Sequence, residues 1–350
     1  MSTRWIVLRE GTHLRWGGDL RRYHVLRALA ARPDAMDVDG WSAARVKDAL
    51  ASVRRRPWQA RPRLAAATML ADATLDRISE GATPFVVDFH DDPVAQNRAV
   101  GIEGDPEWTN RMTERKRRNL EAFRWQVVPS RKLAELAGLD LDRTIVAGNG
   151  TDTSVIQPRP WPTEPAIGFM SGAAPARGIE ALISAARLVR SAVPDLKLLL
   201  WLAATGSASE AYLAALRLAT AADPWIEFLA APYTEMDDQL GRATVQCIPN
   251  PPSRYWDSVC PIKLYDSMAS GRPVVVTPRV AMRAEVERSE AGLTAPGDAP
   301  EDLASAVLRL LEDQDLARHL GENGRRAAVE EHDWREISER LAATLTKLDR

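Results

Sequence analysis

The stretch Asp257-Ser-Val-Cys-Pro-Ile-Lys-Leu-Tyr-Asp-Ser-Met-Ala-Ser-Gly-Arg-Pro-Val-Val-Val-Thr277 concentrates residues able to do chemistry. It reads as a loop, a helix opened by Pro261, a stop at Gly271 and a buried strand. The amides of such a loop and the start of such a helix attract anions. Lys263 and Asp266 lie three residues apart on nearly one helical face. A cation for phosphate beside a carboxylate for sugar hydroxyls is what a nucleotide-sugar site needs. An ordinary strand–helix–strand crossover with a surface ion pair would use the same residues.

Other positions stand where a ligand could be reached. Arg177 immediately precedes a helical pattern, so an anion held at that helix end would also meet its charge. At an effective dielectric near 20, a cation about 4 Å from an anion contributes roughly 4 kcal/mol. The helix end adds about 0.3–2 kcal/mol, so Arg177 dominates. His90 follows the apolar run Phe85–Phe89 and begins His-Asp-Asp-Pro, at the carboxyl end of a predicted strand. Gly17 and Gly18 allow close backbone approach to a ligand. The plain alternatives are a solvated arginine, a capped turn histidine and a tight strand–helix turn. Trp16 and Trp256, beside two of these loops, are candidates to stack on a sugar or an apolar acceptor.

The elements that must carry these residues alternate. Ile167–Ser171, Leu196–Leu202, Trp225–Leu229, Val245–Ile248 and Pro273–Thr277 read as strands, with helices over Gly178–Val193, Ala211–Ala221, Thr234–Gly241 and from Pro261 to Gly271. Apolar strands alternating with helices predict a doubly wound α/β domain with a parallel sheet. The first half shows the same pattern less clearly. Trp5–Leu8, Phe85–Phe89, Trp125–Val128 and Thr144–Val146 are strands there and Leu20–Ala31 a helix, while residues 33–80 give no clear strand. Thr151–Pro165 has four prolines and no periodicity, which marks a linker. The expected domains are 1–155, joined by a returning helix at 333–350, and 165–332. Two such domains facing each other would place the ligand in a cleft.

Composition narrows the function classes. The chain has 350 residues, 45% hydrophobic and 27% charged, with a net charge of −2. This balance argues against a nucleic-acid partner. Residues 1–150 hold 25 basic and 20 acidic residues, a net of +5 against −7 for the remainder. Two cysteines provide no disulfide framework, and five histidines show no zinc spacing. Asp37-Val-Asp39, Asp140-Leu-Asp142 and Asp313-Gln-Asp315 imitate an Asp-x-Asp metal motif, but none follows a convincing buried strand. The basic run Arg115-Lys-Arg-Arg118 reads as a solvated helix face, with peripheral contact to an anionic membrane as its alternative. No apolar run is long enough for a membrane span. A cytoplasmic setting is the default expectation, and 40 arginines against six lysines suggest GC-rich coding and a bacterial source.

Several segments together resemble the retaining glycosyltransferases of family 4, which have the two-domain GT-B fold. PIKLYDSMASGRPVVVT is similar to the second half of that family's signature. GGDLRRYHVLRAL resembles its first glycine loop, Val146-Ala-Gly-Asn-Gly-Thr-Asp152 its domain junction, and Ile167-Gly-Phe-Met-Ser-Gly-Ala-Ala-Pro-Ala-Arg-Gly-Ile-Glu180 the opening of its donor domain. His332-Asp-Trp-Arg335 resembles the segment before its returning helix. The resemblance implies transfer of a sugar from a nucleotide-sugar donor to a small-molecule, glycan or lipid-linked acceptor. No cofactor or metal is implied. His90, Arg177 and Lys263 would be catalytic. Gly17, Gly18, Arg177, Ser258, Val259, Cys260, Pro261, Lys263 and Asp266 would bind the donor, with Asp266 on the ribose. Ser258 stands where the family has its first glutamate, and Gly172 where it often has an arginine whose charge Lys263 could supply.

Overall fold

The computed structural model describes residues 4–9, 17–39, 43–54, 61–100 and 105–349. They form two compact units. One contains the described residues up to Asn149, except Ala99 and Val100, together with Trp334 onward; Gly150–Asp333 makes up the body of the other.

The first unit runs β1 (Trp5–Arg9), α1 (Gly17–His24), α2 (Arg27–Ala30), β2 (Ala35–Asp39), α3 (Ala43–Arg54), β3 (Arg63–Ala66), α4 (Asp72–Ser79) and β4 (Thr83–Asp88). It continues with α5 (Pro93–Ala99), α6 (Pro106–Ala122), β5 (Trp125–Val128), α7 (Arg131–Ala137) and β6 (Thr144–Val146). Its sheet is parallel, in the order β2-β1-β3-β4-β5-β6. Two of these strands fall in the stretch where the sequence shows none. The alanine-rich β3 has weak strand propensity, yet its position between β1 and β4 buries Leu64, Ala65 and Ala66. β2 is a polar edge strand, and Arg9 on β1 donates to Asp37 upon it at 3.1 and 2.6 Å.

The single helix expected over Leu20–Ala31 is divided between α1 and α2. Val25 and Leu26 are buried at the break, and the Ala28 amide bonds to Ser338 Oγ at 2.7 Å rather than to the preceding turn. That amide is therefore unavailable to a continuous helix.

The second unit runs β7 (Ala166–Gly172), α8 (Ile179–Ala192), β8 (Lys197–Ala203), α9 (Ser207–Ala219), β9 (Ile226–Leu229), α10 (Met236–Gly241) and β10 (Val245–Ile248). After it come α11 (Ile262–Ala269), β11 (Val274–Val276), α12 (Val280–Ser289), β12 (Gly292–Thr294), α13 (Pro300–Glu312) and α14 (Gln314–Glu331). The last helix, α15 (Trp334–Leu348), belongs to the first unit. The second sheet is also parallel, ordered β12-β11-β10-β7-β8-β9. Ile167, Phe169, Leu198 and Leu200 face one apolar layer, and Leu199, Trp201, Ile248 and Val276 the other. Burying each such side chain contributes about 1.5–3 kcal/mol. The fold is α/β and doubly wound in both units, as the alternation predicts.

The proline-bearing stretch 151–165 packs onto the second unit. Thr151 and Ile156 are fully buried, and Thr151 pairs in parallel with Asp333.

Candidate functional site

In the second sheet, β8 and β9 extend to one side of β7, whereas β10, β11 and β12 extend to the other. The loops leaving β7 and β10 therefore part at the point where strand order reverses, the place where open parallel sheets hold ligands. Arg177 lies on the loop from β7. Gly178 closes that loop as the N-cap of α8 at φ +79°. A Cβ there would stand 1.7 Å from the Pro249 carbonyl oxygen, so only glycine lets the two diverging loops touch. At Gly172, by contrast, a Cβ would meet only the Ala203 carbonyl at 4.0 Å, so glycine is not sterically required.

Two cations reach this point from different elements, each set on an aromatic face. The Arg177 guanidinium lies 5.2 Å from the Trp256 ring centre. Lys263 Nζ, from α11, lies 4.6 Å from the Phe169 ring centre and 3.3 Å from Ser171 Oγ. Burial lowers the Lys263 pKa well below that of an ordinary lysine, and the like charge of Arg177 lowers it further. An anion placed here would relieve that repulsion. Trp256, a candidate to stack on a sugar, is itself buried beneath Arg177, with its indole N–H unpartnered among the described residues. Trp16 lies outside the described residues.

Asp266 does not project beside Lys263 as a matched pair. It is buried, and its Oδ1 accepts hydrogen bonds from Thr151 Oγ1 at 2.6 Å and Tyr233 OH at 3.1 Å. Burial pushes its pKa up to about 7 despite those two bonds. The Tyr233 hydroxyl is raised well above its usual range, first by burial and then by Asp266. Sequence reasoning passed over Tyr233 as an Asp266 partner because it lies on another segment, 33 positions away.

The loop before α11 is tightly built. Ser258 is buried and donates its hydroxyl to the Tyr255 carbonyl at 2.7 Å. Val259 is extended and buried. Cys260 is half-buried, and burial, with Glu285 nearby, pushes its thiol up to about 12. Pro261 is the N-cap of α11 rather than its first residue, one position from the expected start. Asp257 Oδ1 accepts from the Val280 amide at 3.3 Å, at the start of α12.

In the first unit, His90 sits two residues beyond the carboxyl end of β4, with Nδ1 3.3 Å from Asp88 Oδ2. Asp88 is fully buried against Arg21 of α1, with Oδ1 2.7 Å from Nη2 and Oδ2 2.9 Å from Nε. Burial would raise the Asp88 carboxyl, but Arg21 and His90 outweigh it and hold the group below the usual carboxylate range. Arg21 Nη1 also bonds to the carbonyls of Ala147 and Gly148, each at 3.0 Å, and to Asn149 Oδ1 at 3.1 Å. Gly17 and Gly18 form the first turn of α1 rather than a loop before it. Arg21 lies in the segment that resembles the first glycine loop and Asp88 in the run Phe85–Phe89, but neither pattern singles out its side chain.

The remaining signals find local explanations. Within the basic run, Arg115 binds the Leu70 and Met69 carbonyls, Lys116 pairs with Asp92, Arg117 with Glu114 and Glu121, and Arg118 with Asp72 and Asp76. Asp140 caps a 3₁₀ turn, Asp313 caps α14, and Asp37 lies within β2. Among the described residues, no His, Cys, Asp and Glu side chains assemble as a metal-ligand group. No described helix is long and apolar enough to cross a membrane.

Residues 164–313 match the model of a family described as glycosyl transferases group 1. An MMP alpha-(1->4)-mannosyltransferase from Mycolicibacterium hassiacum is 32% identical over 207 residues, covering 57% of this chain and 47% of that protein. The chain thus spans about half the length of that curated relative. Among solved structures, sucrose-phosphate synthase from Thermosynechococcus elongatus superposes with a TM-score of 0.72 at 15% identity, over 99% of both chains. Anabaena Alr3699/HepE, in complex with UDP-glucose, gives 0.68 at 16% identity, over 98% of this chain and 99% of that one. The two sheets and their helices have the GT-B fold, and the match to the group 1 glycosyl transferase model falls within the second unit.

Proposed function

We propose that the protein is a glycosyltransferase that moves a sugar from a nucleoside diphosphate donor to an acceptor hydroxyl with retention of anomeric configuration. The second unit holds the donor and the first the acceptor. The observation that carries this reading is the convergence of Arg177 and Lys263 on aromatic faces where the strand order reverses. Two like charges brought together there favour a dianionic leaving group such as a diphosphate.

In the proposed reaction, the bond between the anomeric carbon and the diphosphate breaks as the acceptor oxygen attaches to the same face. The leaving diphosphate oxygen takes the acceptor proton, so no side-chain base is needed. Arg177 and Lys263 hold the leaving charge, and no metal is required for that task. His90 contacts a ligand hydroxyl. Peripheral membrane contact belongs to this proposal only if the acceptor is lipid-linked.

One observation favours a second reading, a nucleotide-sugar-binding protein without turnover. Ser258 and Asp266, the positions expected to meet the donor's hydroxyls, are hydrogen-bonded within the protein. A panel of nucleotide sugars, headed by glucosyl and mannosyl donors, separates the readings. Release of nucleoside diphosphate with acceptor-dependent product supports transfer. Donor binding without release supports the second reading, and no binding by the folded protein overturns both.

A further inference from the structure

The unexpected feature of the first unit is the setting of the His90 ring. Asp88 lies inside the protein at the end of β4, and both its oxygens face the Arg21 guanidinium. Its Oδ2 also lies 3.3 Å from His90 Nδ1. Nδ1 is itself buried, although its line to the carboxylate departs from ideal hydrogen-bond geometry. An ionised carboxylate accepts hydrogen bonds and donates none. A bare Nδ1 lone pair at this distance would repel it, so the ring must carry hydrogen on the nitrogen facing Asp88. Asp92, the neighbouring acid, does not compete for the ring. It accepts from Lys116 Nζ at 2.9 Å and from the Val94 and Ala95 amides at 3.2 and 3.1 Å.

We infer that Asp88, clamped by Arg21, is a positioning residue that selects the His90 tautomer with hydrogen on Nδ1 and the acceptor lone pair on Nε2. The ring then accepts a hydrogen bond from a ligand hydroxyl instead of donating one. This assignment deepens the reading of His90 as a ligand contact and rests on it for its functional meaning. The same clamp gives Arg21 a second task. By holding the carbonyls of Ala147 and Gly148 together with Asn149 Oδ1, it ties the ring's support to the end of the unit's chain segment.

Asp88→Asn offers a directional test. The Arg21 fork requires acceptors, so it recruits the amide oxygen and turns the amide NH₂ toward His90. The ring must then accept through Nδ1, and its hydrogen moves to Nε2, the tautomer change known for an Asp→Asn replacement behind a catalytic histidine. Histidine-selective ¹⁵N labelling of the full chain, with the His90 signal identified by its loss in His90→Gln, reads the tautomer at pH 8.5. The expected result is Nδ1–H in the natural protein and Nε2–H in Asp88→Asn. In the transfer assay that variant should lose about 10- to 100-fold in kcat, with donor KM nearly unchanged. An Nε2–H ring in the natural protein overturns the inference, whether or not the variant folds. So does a folded Asp88→Asn protein whose His90 tautomer is unaltered. Because the tautomer is read without donor, the expected spectra with no turnover of any nucleotide sugar would leave the positioning role standing and remove the transferase reading.

Discussion

Arg21 and Arg177 both lie just beyond the opening strand of a parallel sheet, yet their surroundings differ. Arg21 is buried against the ionised Asp88, and its remaining donors are taken by backbone carbonyls and Asn149. Arg177 lies over an aromatic ring and beside a lysine. A buried charge closely matched by its partner organises its neighbours, while removal of either member leaves an uncompensated charge. Two cations brought close together disfavour each other's charge, and Lys263 is lowered in this way by Arg177 as well as by burial. The first arrangement fixes its neighbours through a matched charge, and the second concentrates positive charge where the strand order reverses, the place proposed for the donor diphosphate.

Arg21→Ala should give the largest effect. It strands the buried Asp88 carboxylate and costs about 3–5 kcal/mol of stability, measured by denaturant unfolding. A loss below about 1 kcal/mol would erase the contrast between the two arginines. Arg177→Ala should leave the melting temperature nearly unchanged but weaken nucleoside diphosphate binding by about 2–4 kcal/mol, roughly 30- to 1,000-fold, read by titration calorimetry. Unchanged affinity would remove Arg177 from the site.

Asp266→Asn probes a buried carboxyl that accepts from two hydroxyls, Thr151 and Tyr233. The folded carboxyl, raised to about 7, binds protons more readily than the unfolded one. Its stabilising contribution is therefore complete below the unfolded pKa and is lost as pH rises toward and through about 7. Asparagine can still accept from Thr151 and Tyr233, because both bonds end on one oxygen. The variant should thus be more stable at pH 8 by about 1–3 kcal/mol and lose most of the decline between pH 4 and 7. Thermal melts across that range check this, and an unchanged pH profile would count against a raised Asp266.

Lys263 should show the smallest effect in affinity and the clearest one in protons. Its folded pKa is depressed, so its neutral form gains stability as pH rises from the folded pKa toward the unfolded one. Diphosphate binding reverses that preference and should draw a proton onto Lys263. Calorimetry at pH 8.5 in buffers of different ionisation enthalpy should show net uptake, abolished in Lys263→Met with about a tenfold loss of affinity. Binding without proton uptake would place the ligand away from Lys263.

The strands of the second unit were legible because burial on both sheet faces makes them nearly continuous apolar runs, as in β8. Arg177, Lys263 and Asp266 stand beside glycine, proline and strand signals, and the roles proposed for them come from the family resemblance of those segments. What was not legible depends on long-range partners. β3 is a strand because β1 and β4 flank it. Asp88 looks like one acid closing an apolar run until Arg21, 67 residues earlier, is beside it. The orientation of Asp266 likewise depends on Thr151, 115 residues away, and on Tyr233. Helical spacing places Lys263 and Asp266 near one another but cannot say which neighbours claim each side chain.

The pairing of Thr151 with Asp333 has a consequence for the chain as a piece of architecture. The Thr151 amide bonds to the His332 carbonyl at 2.9 Å, so the main body of the second unit starts and finishes at one doorway. A segment whose two ends already meet can be exchanged with little added cost of loop closure. Residues 150–333 therefore have the topology of a cassette. A body of like topology from another protein, with similarly paired ends, could be grafted there through two adjacent splice points, leaving the Arg21–Asp88–His90 assembly on the host side of both joins.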